Sequence, residues 1–325
     1  MKILIVGGAG YIGSHVTRAF LDAGHQVSVF DNLSSGLERN LFPEAAFIKG
    51  DLLDPAGLAA ALAPGFDGIV HLAAFKAAGE SMTAPEKYSV NNIVGALNLL
   101  NAAAAAGVKR LVFSSSAAVY GDPEYLPMDE KHPTVPANYY GFTKLEIERF
   151  LAWYDQLRGL RSARLRYFNA AGYDPQGRIG GLEKNPANLL PVVMEAACGV
   201  RPEVQVFGND YDTRDGTGVR DYVHVSDLAA AHVAAFGYLV KEDKSLTVNL
   251  GSDSGYSVLE LIEAARRITG RPVPSRIVAR RPGDPASSYA SSDLAKRLIG
   301  YAPKHSDIDS LVATTWTAYR RHFKL

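Results

Sequence analysis

Cysteine is almost missing from this sequence. Cys198 stands alone, which excludes an internal disulfide and any zinc site built on a cysteine cluster, and fits a reducing, cytoplasmic setting. An excess of one charge is missing too. Lys and Arg number 34, and so do Asp and Glu, so there is none of the positive surplus usual in nucleic-acid binders or polybasic membrane binders. Long apolar runs are absent. Residues 3–6 form an apolar run that meets a glycine cluster, far short of the ~7–15 residues of a secretory h-region. The longest uncharged stretch, 88–108, contains Asn91, Asn92, Asn98 and Asn101, which a bilayer core would resist. Metal-ligand spacing is lacking around His71, His224 and His232, which read as packed or solvated. Residues 210–216 resemble a calcium loop only loosely: the glycine comes one place late, Arg214 occupies a ligand position, and no Glu closes the loop.

What is present is ordinary globular composition, 47% hydrophobic and 21% charged, in 325 residues, a length for two domains or one large one. Short β-rich runs at 3–6, 26–30, 46–49, 68–72, 111–115 and 164–168 alternate with helical stretches at 14–23, 55–62, 92–106 and 140–158. That alternation predicts a parallel sheet covered on both faces. After Asn169 the pattern loosens into loops rich in Gly, Pro and Asn at 175–188 and 208–218. A helical stretch at 226–239 and a strand at 246–250 rejoin the sheet. The expected fold is α/β, a Rossmann-type doubly wound parallel sheet with a smaller mixed α/β substrate-binding domain. Residues 1–169, with 221–250 returning, form the first unit, and 170–220 with 251–325 the second.

The turn after the first strand reads Gly7-Gly8-Ala9-Gly10-Tyr11-Ile12-Gly13. Gly7 makes the turn, Gly10 lets backbone approach a pyrophosphate, and Gly13 lets helix and strand pack closely. The helix that follows offers free N–H groups and its positive dipole end to phosphates. Asp31 ends the second strand about 20 residues on, where an acid accepts from a ribose 2′-OH and repels a 2′-phosphate. No Arg stands in the five residues after it, so NAD is expected over NADP.

Tyr140 and Lys144 stand at i and i+4, one turn apart on a helix face. A free phenol, with a pKa near ~10, is a poor base at neutral pH; an ammonium nearby lowers it. Such a pair can take a proton from a sugar hydroxyl while hydride leaves the same carbon. Tyr139 lacks the i+4 relation. Ser114-Ser115-Ser116 closes the strand at 111–115, and carboxyl ends of parallel strands face the ligand crevice. Ser116 can hydrogen-bond the reacting oxygen, whereas Ser114 or Ser115 suits an N-cap.

The spacing Gly-x-x-Gly-x-x-Gly resembles the extended short-chain dehydrogenase/reductase family. Further stretches resemble its UDP-glucose 4-epimerase (UDP-galactose 4-epimerase) branch along nearly the whole chain: DNLSSG at 31–36, KAAGES at 76–81, SSSAAVYGD at 114–122, YYGFTK at 139–144, RYFNAAG at 166–172, FGNDYDTRDGTGVRDYVHVSDLA at 207–229 and RRPGD at 280–284. The resemblance implies an isomerase that removes hydride from C4 of a UDP-hexose, turns the 4-keto sugar over, and returns hydride to the other face, with NAD regenerated in each cycle. It implies Ser116, Tyr140 and Lys144 as catalytic residues. For the cofactor it implies Gly7, Gly10, Tyr11, Ile12, Gly13, Asp31, Asn32, Leu33, Ser34, Ser35 and Gly36, Asp51 and Leu52 by the adenine, Leu72, Ala73, Ala74 and Lys76 along it, and Asn91, Ser114, Tyr140, Lys144 and Phe168. For substrate it implies Lys76, Ser116, Tyr140, Asn169, Asn188 and Leu189, Gln205 and Phe207 around the uracil, Arg220 and Arg281 on the diphosphate, Asp284 on the ribose and Ser288 by the sugar. No metal is implied. Ala74 stands where the family often has Gly. Ser288 stands where some relatives carry a bulky Tyr, which leaves room for UDP-N-acetylhexosamines. The apolar surface of the helices at 92–106 and 144–158 is expected to pair with its mate in a homodimer.

Three other activities compete. Nucleotide-sugar dehydratases carry an acid just after the catalytic Ser/Thr, where this sequence has Ala117 and Ala118. A non-enzymatic NAD-binding regulator on the same fold usually loses the Tyr or the Lys. A 4-epimerase for UDP-glucuronate or a UDP-pentose differs only in pocket geometry.

Overall fold

The computed structural model describes residues 1–183, 186, 188–253, 255–281 and 283–325. Seven parallel strands form the central sheet: β1 (Lys2–Val6), β2 (Gln26–Asp31), β3 (Ala46–Lys49), β4 (Gly68–His71), β5 (Arg110–Ser114), β6 (Arg161–Tyr167) and β10 (Leu246–Leu250), in the order β10-β6-β5-β4-β1-β2-β3. The chain winds outward from β1 to β3, then restarts at β4 on the other side of β1 and winds to β10. The reversal between β1 and β4 opens a crevice at the strands' carboxyl ends, where doubly wound sheets bind ligands.

Alternation along the strands builds two cores. On β1, Ile3 and Ile5 pack under α1 (Tyr11–Asp22) and α8 (Val225–Glu242), with Val16, Phe20 and Phe236. Leu4 and Val6 face the other way, toward α2 (Pro55–Leu62), α5 (Gly95–Ala105) and α6 (Tyr139–Arg158), with Leu58, Leu99 and Leu151. Short helices α3 (Ala78–Ser81) and α4 (Pro85–Tyr88) lead into α5.

A third core forms beyond the large sheet. It gathers α7 (Leu189–Ala197), α9 (Val258–Thr269) and α11 (Ile308–Phe323) beside two small sheets. In one, β9 (Val219–His224) pairs with β7 (Asn169–Ala171), β11 (Gly255–Ser257) and β13 (Ser287–Ser288). In the other, β8 (Val204–Phe207) pairs with β12 (Ser275–Val278). Helix α10 (Asp293–Ile299) packs back on α8 and β10.

Two helices differ from the sequence expectation. The first starts at Tyr11 rather than 14, immediately after Gly10. The helix expected at 92–106 instead has a wide π-type turn, Ser89–Val94, running into α5. That turn carries Asn92 inward, where its amide accepts from Phe75 N (2.9 Å) and donates to Phe75 O (3.0 Å). Side-chain bonding of this kind to a remote loop accounts for the extra residue in the turn.

Candidate active site

The glycine turn is shaped by contacts no larger residue would allow. Gly7 has φ +87°, and a Cβ on it would lie 2.6 Å from Ala73 N. A Cβ on Gly13 would lie 2.0 Å from Gly7 O, so α1 starts hard against the turn. Gly10 precedes α1 with no side-chain cap, and no acid sits in the first turn. The N–H groups of Tyr11, Ile12 and Gly13 are left for an anion. Asp31 is buried and accepts from Ala9 N (3.0 Å) and Leu33 N (2.8 Å). Its carboxylate thus ties the glycine turn to the end of β2, and each oxygen keeps a lone pair. Leu33 adopts φ +62°. Asn32 donates to Asp51 Oδ2 (2.8 Å) and accepts from Ser34 N. Ser35 is exposed, and Gly36 packs so close that a Cβ would meet Asp31 Oδ1 at 2.9 Å. Leu52 is buried beneath Asp51. Leu72 N and Ala73 N both donate to Val6 O, which carries the chain past the crevice toward Ala74 and Lys76. Lys76 forms an ion pair with Glu183 from the second lobe. Asn91 bonds Asn92 Oδ1 (3.2 Å). These residues fit a dinucleotide: a bare backbone cradle for the pyrophosphate, an acid for a ribose and a polar clasp around the adenine position.

The candidate catalytic groups come together at the end of β5. Asn138 caps α6 by accepting from Gly141 N (2.9 Å), and Tyr140 N donates to Ser81 Oγ (3.0 Å). Gly141 is required here, because a Cβ would stand 2.2 Å from Ala118 O. This close approach sets the half-buried Tyr140 phenol near the Ser116 hydroxyl, which draws its pKa down. Tyr139 turns away to Ser89 Oγ (2.6 Å).

Two expectations are corrected. The capping serine is Ser116, whose Oγ accepts from Ala118 N (3.2 Å). Ser114 instead meets His232 Nε2 (2.8 Å), and Ser115 donates to Glu148 (2.5 Å). The phenol is also not lowered below its ordinary value. Burial pushes Tyr140 up to about 12, against a smaller downward pull from Ser116. Lys144 Nζ lies 5.8 Å from the Tyr140 ring centre and donates to Ser114 O (2.8 Å). Loss of hydration brings the lysine itself down to about 7, opposed by the Glu148 carboxylate.

The other named residues lie in the second lobe or at its edge. Asn169 donates to Asp221 O (2.9 Å) on the neighbouring strand, and Phe168 packs on Val119, Tyr120 and Met128. Arg220 is paired with Asp284 (2.6 Å), and Ser288 lies beside Arg220 in the β13–β9 register. The Arg281 guanidinium sits 3.7 Å from the centre of the Phe207 ring, with Gln205 two residues away on the same strand. Asn188 and Leu189 begin α7. Pro282, within RRPGD, lies outside the described residues. Tyr11 joins the lobes by donating to Gly172 O. Among the described residues there is no cluster of three potential metal ligands, and no helix is long and apolar enough to cross a membrane.

Sequence reasoning missed Ser81, Asn92, Gly141, Glu148 and Arg166. Only Glu148 left a readable signal: it continues the four-residue spacing Tyr140–Lys144–Glu148, a carboxylate on the buried face of its helix.

A profile of the NAD dependent epimerase/dehydratase family matches residues 3–251. The UDP-glucose 4-epimerase of Lacticaseibacillus casei is 44% identical over 323 residues, 99% of this chain and 98% of that one. A Brucella ovis UDP-glucose 4-epimerase, solved in complex with NAD, superposes with a TM-score of 0.96 at 41% identity and 98% coverage of both chains. The Bifidobacterium longum enzyme, solved with NAD+ and UDP, gives 0.91 at 39%, over 99% of this chain and 98% of the other.

Proposed function

We propose that this chain, which belongs to the NAD dependent epimerase/dehydratase family, interconverts UDP-glucose and UDP-galactose through a 4-keto intermediate, with NAD as cofactor. The observation that carries this is the meeting of Ser116, Tyr140 and Lys144 beside an uncapped glycine turn, with alanines at 117 and 118 where a dehydratase needs an acid. The glycine turn, Asp31 and the Asn32–Asp51 clasp hold the dinucleotide. When bound, it accepts hydride from C4 and returns it. Tyr140 takes the O4 proton and gives it back, and Ser116 holds O4 by its hydroxyl. Lys144, as an ammonium, favours the phenolate over the phenol. Arg220 and Arg281 hold the diphosphate, a task that suits the guanidinium fork, and Gln205 and Phe207 flank the uracil. Arg220 gives up Asp284 to do so, and the freed carboxylate turns to the ribose.

Residues 1–169 with 221–250 form the cofactor unit, and 170–220 with 251–325 the substrate unit. Support comes from β10 joining the large sheet and from a separate core built on α7, α9 and α11, although β9 pairs within the small sheet and Ala295 and Tyr301 pack in the first core. The chain works in the cytoplasm as a homodimer. Trp153 and Leu157 are 59% and 64% exposed on α6, beside Ala104 and Ala105 of α5, an apolar face of the kind a second copy covers. Ser288, a small side chain, admits the N-acetyl group of UDP-N-acetylhexosamines.

Purified protein is incubated with UDP-galactose and no added NAD, and the anomeric protons are followed by NMR. The expected result is UDP-glucose, produced by cofactor retained through purification. No conversion, with or without added NAD, overturns the reading. The same assay with UDP-N-acetylglucosamine tests Ser288, which Ser288→Tyr should close to that sugar alone.

A further inference from the structure

Behind the reacting groups lies a buried ion pair that the mechanism leaves unused. Glu148 and Arg166 are almost fully enclosed. Arg166 donates to Glu148 through Nε (3.0 Å) and Nη2 (2.6 Å), and Ser115 adds a third donor (2.5 Å). Arg166 also donates to Tyr120 OH (3.1 Å), which donates to Asn249 (2.6 Å). Buried pairs are weak sources of stability, since desolvation offsets their attraction. This one has a specific location instead. It grips the middle serine of the triplet whose neighbours are the Lys144 acceptor and the Tyr140 partner. It also stands one helical turn beyond Lys144, as Lys144 stands one turn beyond Tyr140.

We propose that Glu148 is a positioning residue for the C4 proton transfer: locked by Arg166, its carboxylate fixes the serine triplet through Ser115 and sets a negative charge one helical turn from Lys144. The inference rests on the epimerase reading. Lys144 meets few other charges. On its own helix are Tyr140 and Glu148. Strand β5 offers the Phe113 ring at 4.8 Å and the Ser114 carbonyl. From β4 comes His71, held neutral by burial, with the Lys144 charge pushing the same way. From β6 come Arg164, Arg166 and Tyr167, and from α8 comes His232, reached through Ser114. Helices α3 and α4 carry Glu80 and Lys87, which pair with each other at the surface, along with Glu86 and Tyr88. Glu148 is the carboxylate that opposes the desolvation of Lys144.

The test is an NMR titration of Cε-labelled lysine in the protein with its NAD, beside the pH profile of kcat on UDP-galactose. Glu148→Gln should move the Lys144 titration down by about one unit or more and carry the alkaline limb of kcat with it, leaving KM within a few-fold. Glu148→Asp should restore both. The double variant Glu148→Gln/Arg166→Met, which also removes the guanidinium that Glu148 neutralises, should shift in the same direction. A Lys144 that titrates as in wild type in either folded variant overturns the inference. Ser115→Ala, which removes no charge, should lower kcat with the Lys144 titration unmoved; unchanged kcat overturns the positioning half. Wild-type protein that turns over no UDP-sugar overturns the epimerase reading instead, whatever Lys144 does.

Discussion

The Tyr140 phenol sits where it has every reason to keep its proton: burial holds it near 12, and the Ser116 hydroxyl pulls down only weakly. The group is therefore an acid at rest and becomes a base only when positive charge is brought to it. Tyr140→Phe removes the proton carrier and nothing else of size, so kcat should fall by about 10²–10⁴-fold with KM little changed, measured by UDP-galactose turnover. A loss under tenfold would mean that another group carries the proton. Tyr140 and Lys144 were legible from their spacing only together with the serine triplet and the glycine turn, and the direction in which Lys144 points was not legible. That depends on the Ser114 carbonyl, which strand β5 supplies. The same holds for Gly141, whose necessity comes from Ala118 O across a packing contact.

At the scale of elements, strands β1, β4 and β5 of the large sheet could be read from the sequence because burial on both faces makes them short apolar runs. The second lobe could not be read in this way. Strands β7 and β13 have three and two residues and pair with β9, some 50–70 positions away in the chain; so short a run carries no periodicity. Helices α5 and α6 could be read, and so could their surplus of apolar surface. Trp153 and Leu157 are separated by one turn and point outward together. Putting a charge on each should repel a second copy while costing the folded chain little, since surface changes outside special features stay within about ±0.5 kcal/mol. Trp153→Glu/Leu157→Glu should therefore elute as a monomer in size-exclusion chromatography with light scattering, with an unchanged circular dichroism spectrum. A variant that remains dimeric would place the interface elsewhere.

Across the whole molecule, the least conspicuous residues set the response to acid. His15, His71, His224 and His232 are all buried, and loss of hydration is the main force bringing them to about 4, 3, 3 and 4. Hydrogen bonds hold two of them in the neutral form. His15 Nε2 accepts from Asp174 N and His224 Nδ1 from Ser226 N, and a proton on either nitrogen breaks the bond. Each folded pKa lies below the unfolded value, so the unfolded chain binds more protons between these limits. The stability these residues contribute is complete above about pH 7 and is lost as pH falls toward 4. Asp221 works in the opposite direction, because burial raises it to about 6 and the folded state takes its proton first. The histidines outnumber it, so stability against urea should fall steeply from pH 7 to 5. His224→Asn isolates one contribution. Asparagine is a favoured N-cap, so it can take over the bond from Ser226 N while removing the titrating ring. The slope of unfolding free energy against pH should then flatten by about 1.4 kcal/mol per unit, the equivalent of one proton, whatever the variant loses in stability at pH 7. An unchanged slope would mean that His224 gains its proton without unfolding, and that the acid response belongs to the other three.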